Sequence, residues 1–457
     1  MSGSTIVEKV LARASHQSRV SPGDLIDVDI DLAMMHDSGG PRRIVKPLRD
    51  LGLPIWDPDR VVLVADHYAM PNDAKEAIIL KTARDFAKDF HINRYHELEG
   101  ICHIVPAESG YIRPGMLMVG GDSHSATPGA LGAIAIPMGS TDMLGILVTG
   151  KTWLKVPQSL RIVLLGSLPH GVMAKDLVLW ILGQWGMSHA TYQCLEYGGS
   201  LKSLPIDERM VLTNMAIELG AKTAVVETDE VTQKWLFSHH VGEPIEIIRP
   251  DADAQYHETL TVNLNSLMPL VALPPRPDHV VPVNEARVPV NQAYIGACTG
   301  AKYHDLKAAA RILHGKKIAR GVRLLVAPAS RQALLEATRD GTLYSLIEAG
   351  ATILSSTCGA CAGLGAGVLG PGEVGIASTN RNFPGRMGHP TAEVYLASPL
   401  TVAASALRGI ITDPREVMVK WAFSSLGGSI GLVRMSIQTP LYPDNISSCG
   451  MKRPFLL

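Results

Sequence analysis

The stretch Ser356-Thr-Cys-Gly-Ala-Cys361 places two thiols three positions apart, with Gly359 between them. Two cysteines at this spacing can bind one metal centre, and glycine lets the backbone turn tightly between them. A third cysteine, Cys298, lies upstream, directly after the apolar run Ala293-Tyr-Ile295. Structural zinc sites are normally closed by four protein ligands, whereas an iron–sulfur cluster held by three cysteines leaves one iron open to substrate. On spacing alone, both kinds of centre fit these thiols.

The composition predicts a globular protein of several domains. The chain has 457 residues, of which 46% are hydrophobic and 19% charged, and this length suits two to four domains. A net charge of −1 gives no electrostatic reason to expect nucleic acid or a membrane surface as a partner. Six cysteines in so long a chain do not form a disulfide framework. With neither a signal peptide nor a membrane-length apolar run, we expect a cytoplasmic protein with reduced or metal-bound thiols.

In the first third of the chain, polar groups follow apolar runs of strand length. Asp66-His67 follows Arg60–Ala65, and Asp122-Ser-His124 follows Met116–Gly121. The block Gly100–His103 adds a further histidine, and we expect all three to meet at the carboxyl edge of one parallel sheet. A carboxylate beside an imidazole can hold a proton-transfer histidine in one tautomer, although such neighbours also cap helices. A serine hydrolase with Ser123 as nucleophile is rejected because adjacent residues at a strand end point apart and no Gly-x-Ser-x-Gly motif surrounds this serine.

Strands and helices alternate through the rest of the chain. Glu208–Gly220 has helical periodicity and carries Asn214 and Glu218 one turn apart, so both can face one polar cavity. The proline-rich Ala272–Pro277 is interpreted as a linker. Residues 292–354 then alternate as βαβ units, which places two of the cysteines just past strand ends.

These motifs occur in the order found in the aconitase superfamily, which the chain resembles from about Thr5 to about Glu416. Within the superfamily, it is most similar to 3-isopropylmalate dehydratase large subunits and to the related homoaconitase and dimethylmalate dehydratase large subunits. The resemblance implies an α/β fold with a three-domain cluster-binding core whose strand ends converge on one site. The implied segments are domains 1–158, 159–285 and 286–416, the last with the two-cysteine motif, and an unmatched tail 417–457.

The resemblance also implies the residues of the site. It implies a [4Fe–4S] cluster held by Cys298, Cys358 and Cys361. It pairs carboxylates with imidazoles as Asp66 with His67, Asp122 with His103, and Glu218 with His124. Around substrate and cluster it places Ser123, Asn214, Asn380, Arg381 and Arg386. These residue types suit loss of water across a C–C bond, which needs a base at carbon, an acid for the departing hydroxide and cations that bind carboxylates.

Two departures from the family pattern affect these expectations. Ala297 and Gly300 stand beside the first cysteine where the family usually has serine and asparagine. Because the thiol is retained, we expect ligation to persist with the loss of a hydrogen bond near the cluster. Gly40-Pro41-Arg42 stands where isopropylmalate enzymes often have Ser-Pro-Gln. We expect Arg42 to lie in a substrate-facing loop and to change which side group is accepted.

The implied activity is that of a hydro-lyase acting on a small hydroxy dicarboxylate, a β-substituted malate such as 3-isopropylmalate. Homocitrate or homoaconitate, or dimethylmalate, are alternative substrates for the same chemistry. Since the resemblance stops near Glu416, we expect a separate small subunit to carry the swivelling domain that single-chain aconitases contain. A cluster-free RNA-binding regulator is disfavoured because the chain has no basic stripe. A zinc-bound scaffold subunit is the second alternative from another class.

Overall fold

The computed structural model describes residues 3–418. The predicted tail beyond Met418, including Cys449, therefore lies outside the described residues. Three large sheets follow one another along the chain, within residues 32–137, 159–263 and 270–397. None of the helices in residues 3–418 combines the length and the apolar character that a membrane crossing requires.

The first sheet has five parallel strands, which pair in the order fourth, third, second, fifth and sixth, counted along the chain. The strands of this region are β1 (Leu25–Asp29), β2 (Leu32–His36), β3 (Val61–Ala65), β4 (Arg94–Glu97), β5 (Leu117–Gly120), β6 (Ile134–Pro137) and β7 (Lys151–Lys155). Its helices are α1 (Ile6–Ala14), α2 (Pro41–Leu51), α3 (Ala74–Asp89), α4 (Val105–Glu108) and α5 (Ser140–Thr149). β1 and β7 form a separate antiparallel pair.

The second sheet has four parallel strands in the order β10, β9, β8, β11. Its strands are β8 (Ser159–Leu165), β9 (Cys194–Gly199), β10 (Thr223–Val226) and β11 (Glu258–Asn263). Its helices are α6 (Ala174–Trp185), α7 (Ile206–Asn214) and α8 (Glu230–Ser238). The predicted helix 208–220 is thus α7 followed by a 3-10 turn, Met215–Leu219.

The third sheet is mixed and has seven strands in the order β13, β12, β18, β17, β14, β15, β16. Its strands are β12 (Leu270–Ala272), β13 (Val280–Pro282), β14 (Gln292–Ile295), β15 (Arg323–Val326), β16 (Thr352–Ile353), β17 (Val374–Ala377) and β18 (Glu393–Ala397). Its helices are α9 (Tyr303–Leu313), α10 (Arg331–Arg339), α11 (Thr342–Ala349) and α12 (Pro399–Arg408). The interpretation of 272–277 as a linker is wrong, because this stretch connects β12 and β13, which pair antiparallel.

Short 3-10 helices occur between these elements. They span Pro58–Arg60, Thr127–Leu131, Met215–Leu219, Leu264–Ser266, Val283–Glu285, Gly359–Ala362 and Pro414–Glu416. The mixture of parallel and antiparallel pairing, with helices between the parallel strands, confirms the predicted α/β class.

The amino-terminal helix shows how a polar group ties two regions together. Thr5 caps α1 in a capping box with Glu8, as its sequence pattern favours. Glu196 on β9 then accepts hydrogen bonds from the backbone N–H groups of Ile6 (3.1 Å) and Val7 (3.0 Å). Because that carboxylate satisfies two of the unpaired N–H groups at the helix start, α1 docks against the core. It is a largely buried helix and not one that lies on the surface.

The continuous apolar runs become strands buried on both faces. All five residues of β2 and of β3 are buried, as are all four of β5 and of β14. Side chains on either face of such a strand pack against helices, so polar groups are excluded until the strand ends. The first polar groups after these strands therefore gather at the carboxyl edges of two sheets, where the cavity lies.

Candidate active site

One cavity of about 250 Å³ collects most of the predicted residues. Its lining is Ser38, His67, Tyr68, His103, Asp122, Ser123, His124, Cys298, Cys358, Cys361, Ala362, Leu364, Asn380, Arg381 and Arg386. All three predicted thiol ligands and all three predicted imidazoles are in this list. Asp66, Asn214, Glu218 and Arg42 are outside it, and each of the four is hydrogen-bonded to a lining residue.

The three thiols lie on loops that follow strands of the third sheet. Cys298 follows β14 and is 5% exposed, whereas Cys361 lies in the 3-10 turn Gly359–Ala362 and is 3% exposed. The backbone N–H of Cys358 donates to the carbonyl of Asp66 (2.9 Å), which fixes the two-cysteine loop against the end of β3. Gly359 has φ +47°, the left-handed conformation that a glycine adopts without steric cost.

Two asparagines contact the thiols directly. Asn214 donates from Nδ2 to Cys298 Sγ (3.1 Å) and to Thr127 Oγ1 (2.8 Å). Its Oδ1 accepts from Nδ2 of Asn380, and Cys361 Sγ donates to Asn380 Oδ1 (3.5 Å). Both amides are therefore held against sulfur atoms by a chain of hydrogen bonds. Of the two asparagines, only Asn380 lines the cavity.

The thiols have unequal acidity in this environment. Burial raises the pKa of Cys298 to about 11. A hydrogen bond from Cys358 and the nearby charge of Arg386 lower the pKa of Cys361 to about 5 against the effect of burial. The positively charged Arg386 therefore lies near Cys361, which is the thiol that ionises most easily of the three.

His67 is held by Asp66 at the end of β3. Its Nδ1 lies 2.7 Å from Asp66 Oδ1, and the other carboxylate oxygen accepts from the backbone N–H of Cys102 (2.8 Å). Burial alone would lower the pKa of His67, but the charge and hydrogen bond of Asp66 raise it to about 9. At neutral pH the imidazole is therefore a charged proton donor.

The two remaining pairs also form. His103 Nε2 lies 2.8 Å from Asp122 Oδ1, and His124 Nε2 lies 2.9 Å from Glu218 Oε1. Burial opposes the charge on His124, but hydrogen bonds to Asp122 and Glu218 raise its pKa. Glu218 comes from the 3-10 turn after α7, 94 positions away from its histidine.

His103 reaches the sheet edge from a turn, whereas His67 and His124 follow closely on strand ends. His103 lies in a turn after β4, where the backbone N–H of Ile101 donates to the carbonyl of Ala329 (2.9 Å). Gly100 has φ +139°, and a Cβ there would lie 2.6 Å from the Cα of Ser330. Only glycine permits this approach, and the approach brings the histidine to the edge of the first sheet.

Two arginines bring positive charge to the cavity. Arg381 donates from Nε to Glu218 Oε1 (2.8 Å) and from Nη1 to Ser123 Oγ (3.2 Å). Arg386 lines the cavity, and its buried Nε has no hydrogen-bond partner in the described chain. A guanidinium with an unused N–H matches the geometry of a carboxylate ligand.

Arg42 lies one layer outside the lining. Its Nε donates to the carbonyl of Ser38 (2.6 Å), and its guanidinium carbon is 5.6 Å from the centroid of the Tyr68 ring. The side chain is exposed, and both residues that it contacts line the cavity. Arg42 is thus placed to affect the cavity through Ser38 and Tyr68.

The structure adds His36 and Asp37, which sequence reasoning did not assign to the site. The His36 ring lies 4.5 Å from that of His67, and burial together with the charge of His67 lowers the pKa of His36 to about 4. Asp37 accepts from the backbone N–H groups of His67 (3.1 Å) and Tyr68 (2.7 Å). The sequence contained a signal for both residues. His36 is the last residue of β2 and Asp37 follows it, just as Asp66 follows β3.

Gly300 is explained by a neighbouring side chain. A Cβ at this position would lie 2.1 Å from Oγ of Ser378, which accepts from the backbone N–H of Gly296 (3.0 Å). Where the family usually has an asparagine side chain, the Ser378 hydroxyl therefore occupies the space beside Gly300.

The residues around the thiols fit a bound group larger than one metal ion. In the described chain, the groups whose ligand atoms all lie within 4.8 Å of one another are His36–Asp37–Asp66–His67 and His103–Asp122–His124, and the three thiols do not form such a group. Zn–S bonds of about 2.3 Å would place sulfurs about 3.8 Å apart. Tyr294 Oη, which lies near Gly359, and Ser356 Oγ, two positions before Cys358, are also buried without a partner among residues 3–418.

Comparison with known proteins agrees with this geometry. Residues 8–288 and 284–409 match the model of the aconitase family (aconitate hydratase). The chain belongs to the aconitase family. The match confirms the family that the sequence motifs predicted.

Relatives within the aconitase family cover nearly the whole chain. The 3-isopropylmalate dehydratase large subunit 1 of Methanopyrus kandleri is 45% identical over 91% of this chain and 100% of its own length. The 3-isopropylmalate dehydratase large subunit of Hydrogenobaculum sp. is 42% identical over 91% and 98%. A probable methanogen homoaconitase large subunit of Methanothermobacter thermautotrophicus is 41% identical over 90% and 97%.

A solved structure was also compared. The holo form of aconitase X from Thermococcus kodakaraensis matches 78% of this chain and 84% of its own, with 13% identity and a TM-score of 0.48. The family assignment rests on the sequence matches alone.

Proposed function

We propose that this chain is the large subunit of a hydro-lyase that removes water from a β-substituted malate such as 3-isopropylmalate, and adds it back. Hydro-lyase chemistry is common to its relatives in the aconitase family, which are named as 3-isopropylmalate dehydratase and homoaconitase large subunits. The observation that carries the proposal is the meeting of three thiols, two of them buried and one half-buried, and three carboxylate-paired imidazoles in one cavity.

The cofactor assigned to this site is a [4Fe–4S] cluster with Cys298, Cys358 and Cys361 as its protein ligands. Three thiols too widely spaced for one zinc ion, with unpaired buried hydroxyls near the two-cysteine loop, support this assignment. When bound, the cluster supplies a Lewis acid for the hydroxyl and carboxylate of the substrate. We place the enzyme in the cytoplasm, where the reducing environment keeps such thiols free.

The chain's own residues bind the substrate and supply protons. Arg386 and Arg381 bind carboxylate groups, and Ser123 is oriented by its bond to Arg381. His67, kept charged by Asp66, is the proton donor for the departing hydroxide. His103 has a buried Nδ1 with no partner in residues 3–418, so this nitrogen is available to the substrate.

The proton on carbon requires a base from elsewhere. His67, whose pKa is raised to about 9, carries its proton at neutral pH, and hydrogen bonds to Asp122 and Glu218 raise the pKa of His124 and favour its protonated form. His36 is neutral, but it lies beneath His67 and outside the cavity lining. A small subunit with the swivelling domain, docked over the cavity, would supply the base and exclude water.

This partner is tested with the isolated chain. The chain alone, loaded with iron and sulfide under anaerobic conditions, should bind its cluster but convert little substrate. Addition of the separately purified small subunit should restore turnover. Full dehydratase activity of the isolated chain would contradict the need for a partner.

Homoaconitate is the second candidate substrate, because one relative carries that name at 41% identity. A panel of malates with different side groups, measured as kcat/KM on the assembled enzyme, distinguishes the candidates. We expect 3-isopropylmalate to give the highest value. If the enzyme preferred homoaconitate or dimethylmalate, the proposed dehydratase reaction would stand and the proposed substrate would be wrong.

A further inference from the structure

Lys175 is a buried cation without a carboxylate partner. The residue lies in the first turn of α6 and is 1% exposed. Its Nζ donates to Thr299 Oγ1 (3.2 Å) and to the carbonyls of Ser378 (3.2 Å) and Thr379 (2.6 Å). All three acceptors are neutral, and no carboxylate of residues 3–418 lies within 4.0 Å of this ammonium group.

Without a bound cofactor, the surroundings of Lys175 make its positive charge energetically unfavourable. A buried ammonium group without a counter-ion is strongly disfavoured, and the helix dipole disfavours a cation in the first turn. The adjacent Asp176 instead accepts from the backbone N–H groups of Met173 (2.8 Å) and Leu270 (2.9 Å). Burial lowers the pKa of Lys175 to about 8, and the negative charges of Cys298 and Cys361 are the largest opposing influence.

The hydrogen bonds of Lys175 point to the thiol side of the cavity. Thr299 directly follows Cys298, and Thr379 directly precedes Asn380, which accepts from Cys361. Lys175 thus joins the two loops that carry these groups, from the side opposite the cavity lining. Among the described residues, ionised Cys298 and Cys361 are the largest compensating charges for this side chain, ahead of Asp305. Thiols must ionise when they bind metal.

We propose that Lys175 is the counter-ion of the thiolate-bound cluster: its ammonium group balances the charge that the three thiolates acquire, and so raises both cluster retention and the reduction potential. The inference rests on the proposed function, since it requires the cluster. Reduction adds negative charge to the cluster, and a fixed buried cation beside it favours the reduced form.

Lys302 provides a matched control. It is 2% exposed, and its Nζ also reaches the Cys298 loop, where it donates to the carbonyl of Cys298 (3.1 Å). Unlike Lys175, it is paired with a buried carboxylate, Asp305 Oδ2, at 2.8 Å. Removing the Lys302 charge therefore leaves an unpaired Asp305, whereas removing the Lys175 charge leaves no unpaired carboxylate.

The test compares Lys175→Met and Lys302→Met in the full-length chain with and without cluster. For Lys175→Met we expect an unchanged or higher thermal midpoint in the cluster-free protein. With cluster bound, we expect iron loss to a chelator to be about tenfold faster. The one-electron midpoint potential should become more negative, by about 59 mV for a tenfold change in the equilibrium constant. Lys302→Met should lower the thermal midpoint in both forms.

Two further variants separate charge from hydrogen bonding. Lys175→Gln retains polar contacts to the loop carbonyls but is neutral, and it should reproduce the shift in potential. Lys175→Arg retains the charge and should keep the potential near that of the wild type.

The inference is overturned if Lys175→Met lowers the thermal midpoint of the cluster-free protein as Lys302→Met does. It is also overturned if iron loss and potential do not change, or if neither neutral variant folds without cluster. A wild-type chain that binds no iron at all would instead contradict the proposed function.

Discussion

The imidazole side and the thiol side of the cavity differ in how their buried polar groups are paired. On the imidazole side, His67, His103 and His124 each meet a carboxylate within 2.7–2.9 Å, although Nδ1 of His36 and of His103 has no partner in the described chain. On the thiol side, Tyr294 Oη and Ser356 Oγ are buried without a partner in the described chain, and Lys175 has no carboxylate. Unpaired buried polar groups cost free energy unless a ligand pairs with them. The comparison supports the proposal that a bound group pairs with the thiol side, whereas the fold itself pairs the charges of the three histidines His67, His103 and His124.

The largest expected effect comes from the thiol side. Replacement of Cys298, Cys358 or Cys361 by serine should abolish both iron binding and turnover, because each thiolate is one of the three proposed ligands. Iron content and the visible absorption spectrum of anaerobically purified protein provide the measurement.

Other cysteines provide the controls for this experiment. Cys194 is buried on β9 and Cys102 lies beside His103, and serine at either position should leave the iron content unchanged. The same is predicted for Cys449, which lies outside the described residues. If Cys449→Ser alone removed the cluster, the assignment of three ligands would be wrong.

The second effect is on the imidazole side. Glu218 accepts from His124 Nε2 (2.9 Å) and from Arg381 Nε (2.8 Å), and these contacts lower the pKa of Glu218 against the effect of burial. Glu218→Gln removes the charge that raises the pKa of His124 and orients Arg381. We expect kcat to fall on the order of 100-fold, as for other general acid–base groups, with iron content unchanged.

Exposed glutamates allow a matched control. Glu348→Gln changes the same residue type on the surface of the third sheet's helices and should leave kcat unchanged. Normal turnover of Glu218→Gln with full iron content would show that the imidazole side does not depend on this carboxylate.

Much of the fold could be predicted because its signals are local. The run Arg60–Ala65 is apolar on both faces, so it specifies a buried strand followed by Asp66-His67 at the sheet edge. Helix α3 begins where Asp73 caps it, by accepting from the backbone N–H of Glu76 (2.8 Å).

The remainder depends on contacts between distant parts of the chain. The turn that carries His103 is held by the carbonyl of Ala329, more than 200 positions away. Lys175 belongs to an amphipathic pattern in which a lysine ordinarily marks the exposed face, and only tertiary packing shows that it is buried. The pairing of Glu218 with His124 came from the family resemblance, because helical periodicity does not specify a partner 94 positions away.

The third prediction concerns Arg42, which lies outside the cavity lining and belongs to neither of its two sides. Arg42→Gln removes the hydrogen bond to the carbonyl of Ser38 and the cation–π contact with Tyr68. Since both of these residues line the cavity, we expect preference among β-substituted malates to shift by about tenfold, or 1.4 kcal/mol. Iron content should not change. An equal effect on every substrate in the panel would place Arg42 outside the specificity determinants.

The smallest expected effect lies outside the cavity, at a carboxylate that has no cationic partner. Glu108 accepts from Ser330 Oγ (2.9 Å), and burial raises the pKa of Glu108 to about 8. The folded state therefore retains a proton that the unfolded state releases above its pKa of about 4.5, so stability falls as pH rises from about 4.5 to 8. Glu108→Gln retains the oxygen that accepts from Ser330 and removes this loss. At pH 8 the variant should be more stable by about 1 kcal/mol or more, and at pH 4.5 the two proteins should be alike. Thermal midpoints measured at both values, with Glu348→Gln as the exposed control, test this. Parallel pH profiles for wild type and Glu108→Gln would show that the fold tolerates this buried charge, and would weaken the argument that unpaired groups on the thiol side await a ligand.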